Sequence, residues 1–164
     1  MAIPSAASPP VVLPTVRGRV RRALHSDDAA ILDLEAHFPS DRISLRAVRR
    51  FLTSPSAHIW VAELGGKVVG NIILLTRRNS EVARIYSLVV APEARGRRFA
   101  QRLVRTAESH GRELGVRAIK LEVMKRNKPA RALYAKLGYT ESEELPGYYE
   151  NGAHGLRLRK ILQS

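Results

Sequence analysis

The stretch from Ala83 to Gly115 constrains the chain more than any other. Ala83 to Val90 ends in the apolar run Leu88-Val89-Val90, which predicts a strand covered on both faces and central in its sheet. After the short loop Ala91-Pro92-Glu93-Ala94-Arg95-Gly96, about 18 residues from Arg97 carry Phe99, Ala100, Leu103, Val104, Ala107 and Leu114 at helical spacing, and Gly115 provides the stop. A buried strand that feeds an amphipathic helix must lay the helix's apolar stripe back on the sheet. That is the unit of a layered α/β fold.

The flanking segments extend the pattern. Gly18 to Leu24 predicts a first strand, and Ser26-Asp27-Asp28 supplies N-cap oxygens for a helix carrying Ile31, Leu32, Leu34 and Phe38 that Pro39 ends. Ser44 to Leu52 predicts a short helix with Leu45, Val48 and Leu52 on one side and Arg46, Arg49 and Arg50 largely on the other. Ile59 to Leu64, the pair Gly65-Gly66 and Lys67 to Thr76 read as a hairpin. Beyond the long helix come a strand over Val116 to Met124, a helix from Asn127 to Leu137 stopped by Gly138, and strands around Tyr139 to Glu144 and Gly155 to Ile161. This order predicts a mixed sheet in one domain over residues 17–164. Residues 1–16 predict a mobile tail, because four of the nine prolines fall in the first fourteen positions among Ala and Ser.

Composition narrows the chemistry. The chain has no cysteine, which excludes disulfides, thiolate ligation and a cysteine nucleophile. Its five histidines are scattered without ligand spacing, so no metal site is expected. No apolar stretch approaches a membrane span and the start lacks a secretory pattern, so a cytoplasmic protein without membrane association is expected. The net charge of +13 favours polyanionic partners such as nucleic acid, the ribosome or a phosphorylated cofactor.

Position decides among these. A loop that runs from a buried strand into a helix aims free backbone N–H groups and the positive end of the helix dipole at whatever lies above it. Arg95, Arg97 and Arg98 stand at that same end, where each cation costs about 0.3–1 kcal/mol unless an anion offsets it. A bound diphosphate removes the conflict; arginines splayed into solvent are the alternative.

The run Val90-x-Pro92-x-x-Arg95-Gly96-x-x-x-Ala100 resembles the acetyl-CoA pyrophosphate loop of the GNAT superfamily of N-acetyltransferases, whose pattern is Gln/Arg-x-x-Gly-x-Gly/Ala. The resemblance implies the GNAT fold, a mixed and mostly antiparallel sheet flanked by about four helices. It also implies acetyl-CoA contacts from Leu88, Val89, Val90, Arg95, Gly96, Arg97, Arg98, Phe99, Ala100 and Gln101. Where the family prefers its middle glycine this chain has Arg98, so either the helix start accommodates the side chain by turning it outward or cofactor affinity falls.

A second segment, Leu121-Glu122-Val123 through Asn127 to Ala132-Leu133-Tyr134 and on to Gly138-Tyr139, is similar to the ribosomal-protein alanine acetyltransferase subgroup. That likeness implies Glu122 as general base, Tyr134 as general acid and Asn127 as a CoA contact. The chemistry needs such a pair, because an α-amine of pKa about 8 or a lysine of about 10.4 is mostly protonated at neutral pH and attacks a thioester only after losing a proton. Amides around Leu88, Val89 and Val90 would stabilise the oxyanion of that attack. Leu145-Pro146-Gly147-Tyr148-Tyr149 through Leu156 resembles the subgroup's acceptor segment, implying Tyr148 and Tyr149 at the acceptor, with Asn151 and His154 where many relatives are acidic. The expected activity is transfer of an acetyl group to a primary amine of a protein, N-terminal or lysine, by direct attack in a ternary complex. A small-molecule amine acetyltransferase and a basic nucleic-acid- or ribosome-binding module without catalysis are the alternatives.

Overall fold

The computed structural model describes residues 18–37 and 43–163. The expected tail, Phe38 and Pro39 lie outside the described residues. Seven strands make one sheet in the order β1-β2-β3-β4-β5-β7-β6: β1 Gly18–Arg22, β2 Ala57–Leu64, β3 Lys67–Leu75, β4 Val82–Val90, β5 Ala118–Met124, β6 Thr140–Leu145 and β7 Gly155–Ile161. Five of the six pairings are antiparallel, and β4 with β5 is the parallel one. The helices are α1 Asp28–Glu35, α2 Leu45–Thr53, α3 Phe99–Glu113 and α4 Lys128–Lys136.

Alternation along the central strands assigns the two faces. Ile59, Val61 and Ile73 point to one face, where they cluster with Ile31 of α1 and Val48 of α2. Trp60, Ala62, Ile72 and Leu74 point to the other, against Leu103, Val104 and Ala107 of α3. Tyr134 and Leu137 of α4 join that second cluster beside Ile119, Leu121 and Val123 of β5. At the β2–β3 turn, Gly65 and Gly66 have φ of 60° and 78°, the left-handed pair a two-residue hairpin needs.

Three local departures from the expected elements have physical causes. The long helix begins at Phe99 rather than Arg97, because Arg98 takes a left-handed φ of 62° and serves as its N-cap. Leu114, expected on the buried stripe, is 51% exposed as the C-cap before Gly115. Asp27 does not cap α1 with its side chain: its carboxylate accepts from both terminal nitrogens of Arg21, at 2.8 and 3.0 Å, and from the Leu24 amide at 2.7 Å.

Candidate active site

The site begins where β4 and β5 part. They are in register only at Val82–Ala118, Ala83–Ile119 and Arg84–Lys120. Beyond that, β4 runs on to Val90 paired with β3, and β5 runs on to Met124 paired with β7. The β3–β4 register also shifts between Ile73 and Leu74, leaving Tyr86 as an extra residue on β4, and a bulge of this kind bends its strand. The Ala91 amide donates to the Val69 carbonyl at 2.7 Å, so by alternation the amides of Val90 and Leu88 turn away from β3 toward the opening. Leu88, Val89 and Val90 therefore form the β4 side of a cleft with backbone donors aimed into it.

At the mouth of that cleft stands the basic loop. Pro92–Ala94 forms one tight turn, Gly96 follows with φ of 81°, and Arg98 leads into α3. Arg95, Gly96, Arg97 and Arg98 are all exposed. Among the described residues none of the three guanidiniums has a hydrogen-bond or ion-pair partner. Three unpaired cations at a helix N-terminus are the arrangement that a diphosphate relieves, so this end of the cleft fits the phosphates of CoA. Phe99 is buried and anchors the helix start, while Ala100 and Gln101 are half-buried in the first turn. Arg98 keeps its side chain exposed, so the chain takes the first of the two outcomes open to an arginine there, at the expense of a left-handed backbone.

Glu122 sits on β5 beyond the last β4–β5 pair. It alternates with Leu121 and Val123 and so lies on the face opposite α3 and α4. Its side chain is only 7% exposed and is held by two guanidiniums: Arg84 Nε donates to Oε2 at 2.9 Å, and Arg157 reaches Oε1 from Nε and Nη2 at 3.4 Å. Arg157 also pairs with Glu143 of β6. These contacts fix where the carboxylate oxygens point. Sequence reasoning missed both arginines: alternation in Ala83-Arg84-Ile85 and Leu156-Arg157-Leu158 gives their face, but only the strand register brings them to Glu122.

Tyr134 is buried on α4, its ring edge-on to Tyr139 at 5.3 Å, and its hydroxyl has no hydrogen-bond partner among the described residues. Burial pushes its phenol well above the ordinary value near 10, so it keeps its proton at any working pH. Asn127 caps α4 by accepting from the Ala130 amide at 3.2 Å, a structural role that leaves its side-chain N–H₂ free to donate. Tyr148 and Tyr149 lie between β6 and β7, rings edge-on at 5.1 Å, and pack on Gly155, which registers with Met124 of β5. They therefore stand at the same end of β5 as Glu122.

Several buried or half-buried clusters were not read from the sequence, two of them near the sheet's first half. Glu35 of α1 accepts from Ser87 at 2.7 Å and Asn71 at 3.1 Å, tying α1 to β3 and β4, while the side-chain oxygen of Asn71 has no partner among the described residues. His58 and His110, scattered in sequence, meet with Nδ1 to Nε2 at 3.2 Å, and Arg22 approaches the same Nδ1 at 3.1 Å. Among the described residues no helix is long and apolar enough to cross a membrane.

Residues 27–139 match the acetyltransferase (GNAT) family. The chain is 38% identical over 98 residues to N-alpha-acetyltransferase MAK3 of Arabidopsis thaliana, covering 58% of this chain and 52% of that one. It is 29% identical over 142 residues to the putative ribosomal protein bS18-alanine N-acetyltransferase of Bacillus subtilis, covering 85% and 93%. The crystal structure of Ard1 from Thermoplasma volcanium superposes with a TM-score of 0.82 at 21% identity, over 90% of this chain and 99% of that one, and shares the fold. The matches span about half of several of the curated relatives, from 42% to 64% of their length. With more than half of its residues inside the family match, the chain belongs to the GNAT acetyltransferases, the family that uses acetyl-CoA.

Proposed function

We propose that this chain transfers an acetyl group from acetyl-CoA to a primary amine of a protein, with Glu122 accepting the amine's proton and Tyr134 donating to the departing sulfur. The observation that carries the reading is the parting of β4 from β5, which sets the Leu88 and Val90 amides and the unpaired Arg95, Arg97 and Arg98 around one cleft and leaves Glu122 beside it. When bound, acetyl-CoA supplies the activated acyl group. Every other role falls to residues of the chain.

Arg95, Arg97, Arg98 and the amides at the start of α3 hold the diphosphate, with the side-chain N–H₂ of Asn127 donating to the cofactor from the first turn of α4. The amides of Leu88 and Val90 donate to the carbonyl oxygen as negative charge grows on it. Glu122 faces the side of the sheet from which an amine arrives, and a carboxylate there removes the proton either directly or through one water. Tyr134 remains protonated in its apolar setting and serves as the donor on the leaving-group side. Tyr148 and Tyr149, at the Met124 end of β5, flank the acceptor. Residues 17–164 act as one catalytic domain. The protein acceptor is favoured over a free polyamine because a net charge of +13 repels small cations.

The test is thiol release from acetyl-CoA in the presence of a peptide library displaying free N-termini and lysines. Turnover that falls by about 10²-fold or more in Glu122→Gln and in Tyr134→Phe supports the roles. Wild-type turnover in both variants overturns them.

A further inference from the structure

The face that carries Glu122 also carries an arrangement of charge that the reaction itself does not require. Strand register places Arg84 of β4 beside Lys120 of β5, and Lys120 beside Arg159 of β7. Registered neighbours share a face, so three cations stand side by side across three strands. Two residues along, the next row reads Glu122, Arg157, Glu143, with alternating sign. Among the described residues, Arg84 alone of the first row has an acidic partner, Glu122. Among the described residues the side chains of Lys120 and Arg159 have no hydrogen-bond or ion-pair partner, although Lys120 is half-buried and Arg159 exposed. Like charges directly opposite one another weaken a sheet, and among the described residues no carboxylate offsets the Lys120–Arg159 pair. Strands are about 4.8 Å apart, so an ammonium and a guanidinium on adjacent strands can close on one carboxylate.

Resting on the acetyltransferase reading, we propose that Lys120 and Arg159 receive an acidic side chain of the acceptor. The chain then acts on peptides with Asp or Glu among the first residues after the reacting amine. The spacing agrees: Lys120 precedes Glu122 by two residues, about 7 Å along β5, which is also what two residues of an extended acceptor cover. The amine at Glu122 and the carboxylate at the cation pair are thus served by one short segment, and the alternating row beside them keeps the amine's own site close to neutral.

Three peptides of equal length are compared, beginning Ala-Asp-Glu, Ala-Asn-Gln and Ala-Lys-Arg, by kcat/KM with acetyl-CoA and by anisotropy of the labelled peptides on the full chain. Acidic over neutral preference should be about tenfold at low salt, fade by about 0.3 M salt, and vanish in Lys120→Gln/Arg159→Gln. The double variant should melt no lower than the wild type, since it removes a repulsive pair. Equal kcat/KM for acidic and neutral peptides overturns the inference while leaving the acetyltransferase reading intact. If no peptide is acetylated, that reading fails, and anisotropy alone decides the cation pair: equal binding of the acidic and neutral peptides overturns it. A double variant that loses binding to a labelled oligo(U) RNA but keeps its peptide preference also overturns it.

Discussion

Arg98→Gly is expected to stabilise the protein, which is unusual for removing a large side chain. Arg98 sits at φ of 62° as the N-cap of α3, a conformation in which an L residue's Cβ crowds the backbone at a cost of about 1–2 kcal/mol. Glycine removes that strain and gives back about 0.4–1 kcal/mol through the greater freedom of the unfolded chain. Among the described residues Arg98 has no ion pair or hydrogen bond to lose. The net gain is about 0.5–1 kcal/mol, or about 1–4 °C in Tm for a chain of this size. The neighbouring Arg97 lacks a positive φ, so Arg97→Gly suffers the entropic loss without the relief and should melt about 1–4 °C lower. Arg98→Ala keeps its Cβ and should melt close to the wild type. Thermal unfolding of the three variants side by side is the assay. An Arg98→Gly protein that melts as low as Arg97→Gly refutes the strain argument; the same variants titrated with acetyl-CoA report whether the lost guanidinium or the closer backbone approach dominates affinity.

Tyr134→Phe should leave urea unfolding within about 0.5 kcal/mol of wild type while acetyl transfer falls, because the hydroxyl has no partner among the described residues to lose; a large loss of stability would mark it as a structural group. The pKa of His58 is lowered from 6.5 to about 4 by burial, with the His110 and Arg22 charges adding to the effect, so the unfolded chain binds a proton that the folded chain refuses. Stability should therefore be full above pH 6.5 and fall as pH drops toward 4, and His58→Gln should flatten that part of the profile in urea titrations across the range. Gly18→Ala would place a Cβ 2.1 Å from the Phe99 ring, displacing the residue that anchors α3; a loss of about 1–3 kcal/mol and weaker acetyl-CoA binding are expected together, by unfolding and calorimetry.

Much of this architecture is legible in the sequence because it is written in local periods. The alternation of Ile119, Leu121 and Val123 assigns Glu122 its face, the spacing from Phe99 to Ala107 lays α3 on the sheet, and Gly65-Gly66 fixes the hairpin between β2 and β3. The candidate site is legible only where its residues are neighbours in the chain, as in Arg95 to Gln101 and Glu122 to Tyr134. What stayed hidden depends on register between distant strands or helices. Arg84 and Arg157 meet Glu122 across 38 and 35 positions, and Glu35 meets Ser87 across 52, separations no periodicity encodes. The start of α3 differs from its expected place at Arg97 for the opposite reason: helical spacing continues through Arg97 and Arg98, while a single backbone torsion, invisible in spacing, delays the helix to Phe99.

The brief parallel junction of β4 and β5 has a consequence for solvent exchange. With only three residues of each strand in register, the inward amides of Leu88 and Val90 have no strand opposite them among the described residues to slow deuterium uptake. Those two amides would donate to cofactor bound in the opening, so both positions should pass from fast-exchanging to protected on saturation with acetyl-CoA, whereas Ala91, bonded to Val69, should hardly respond.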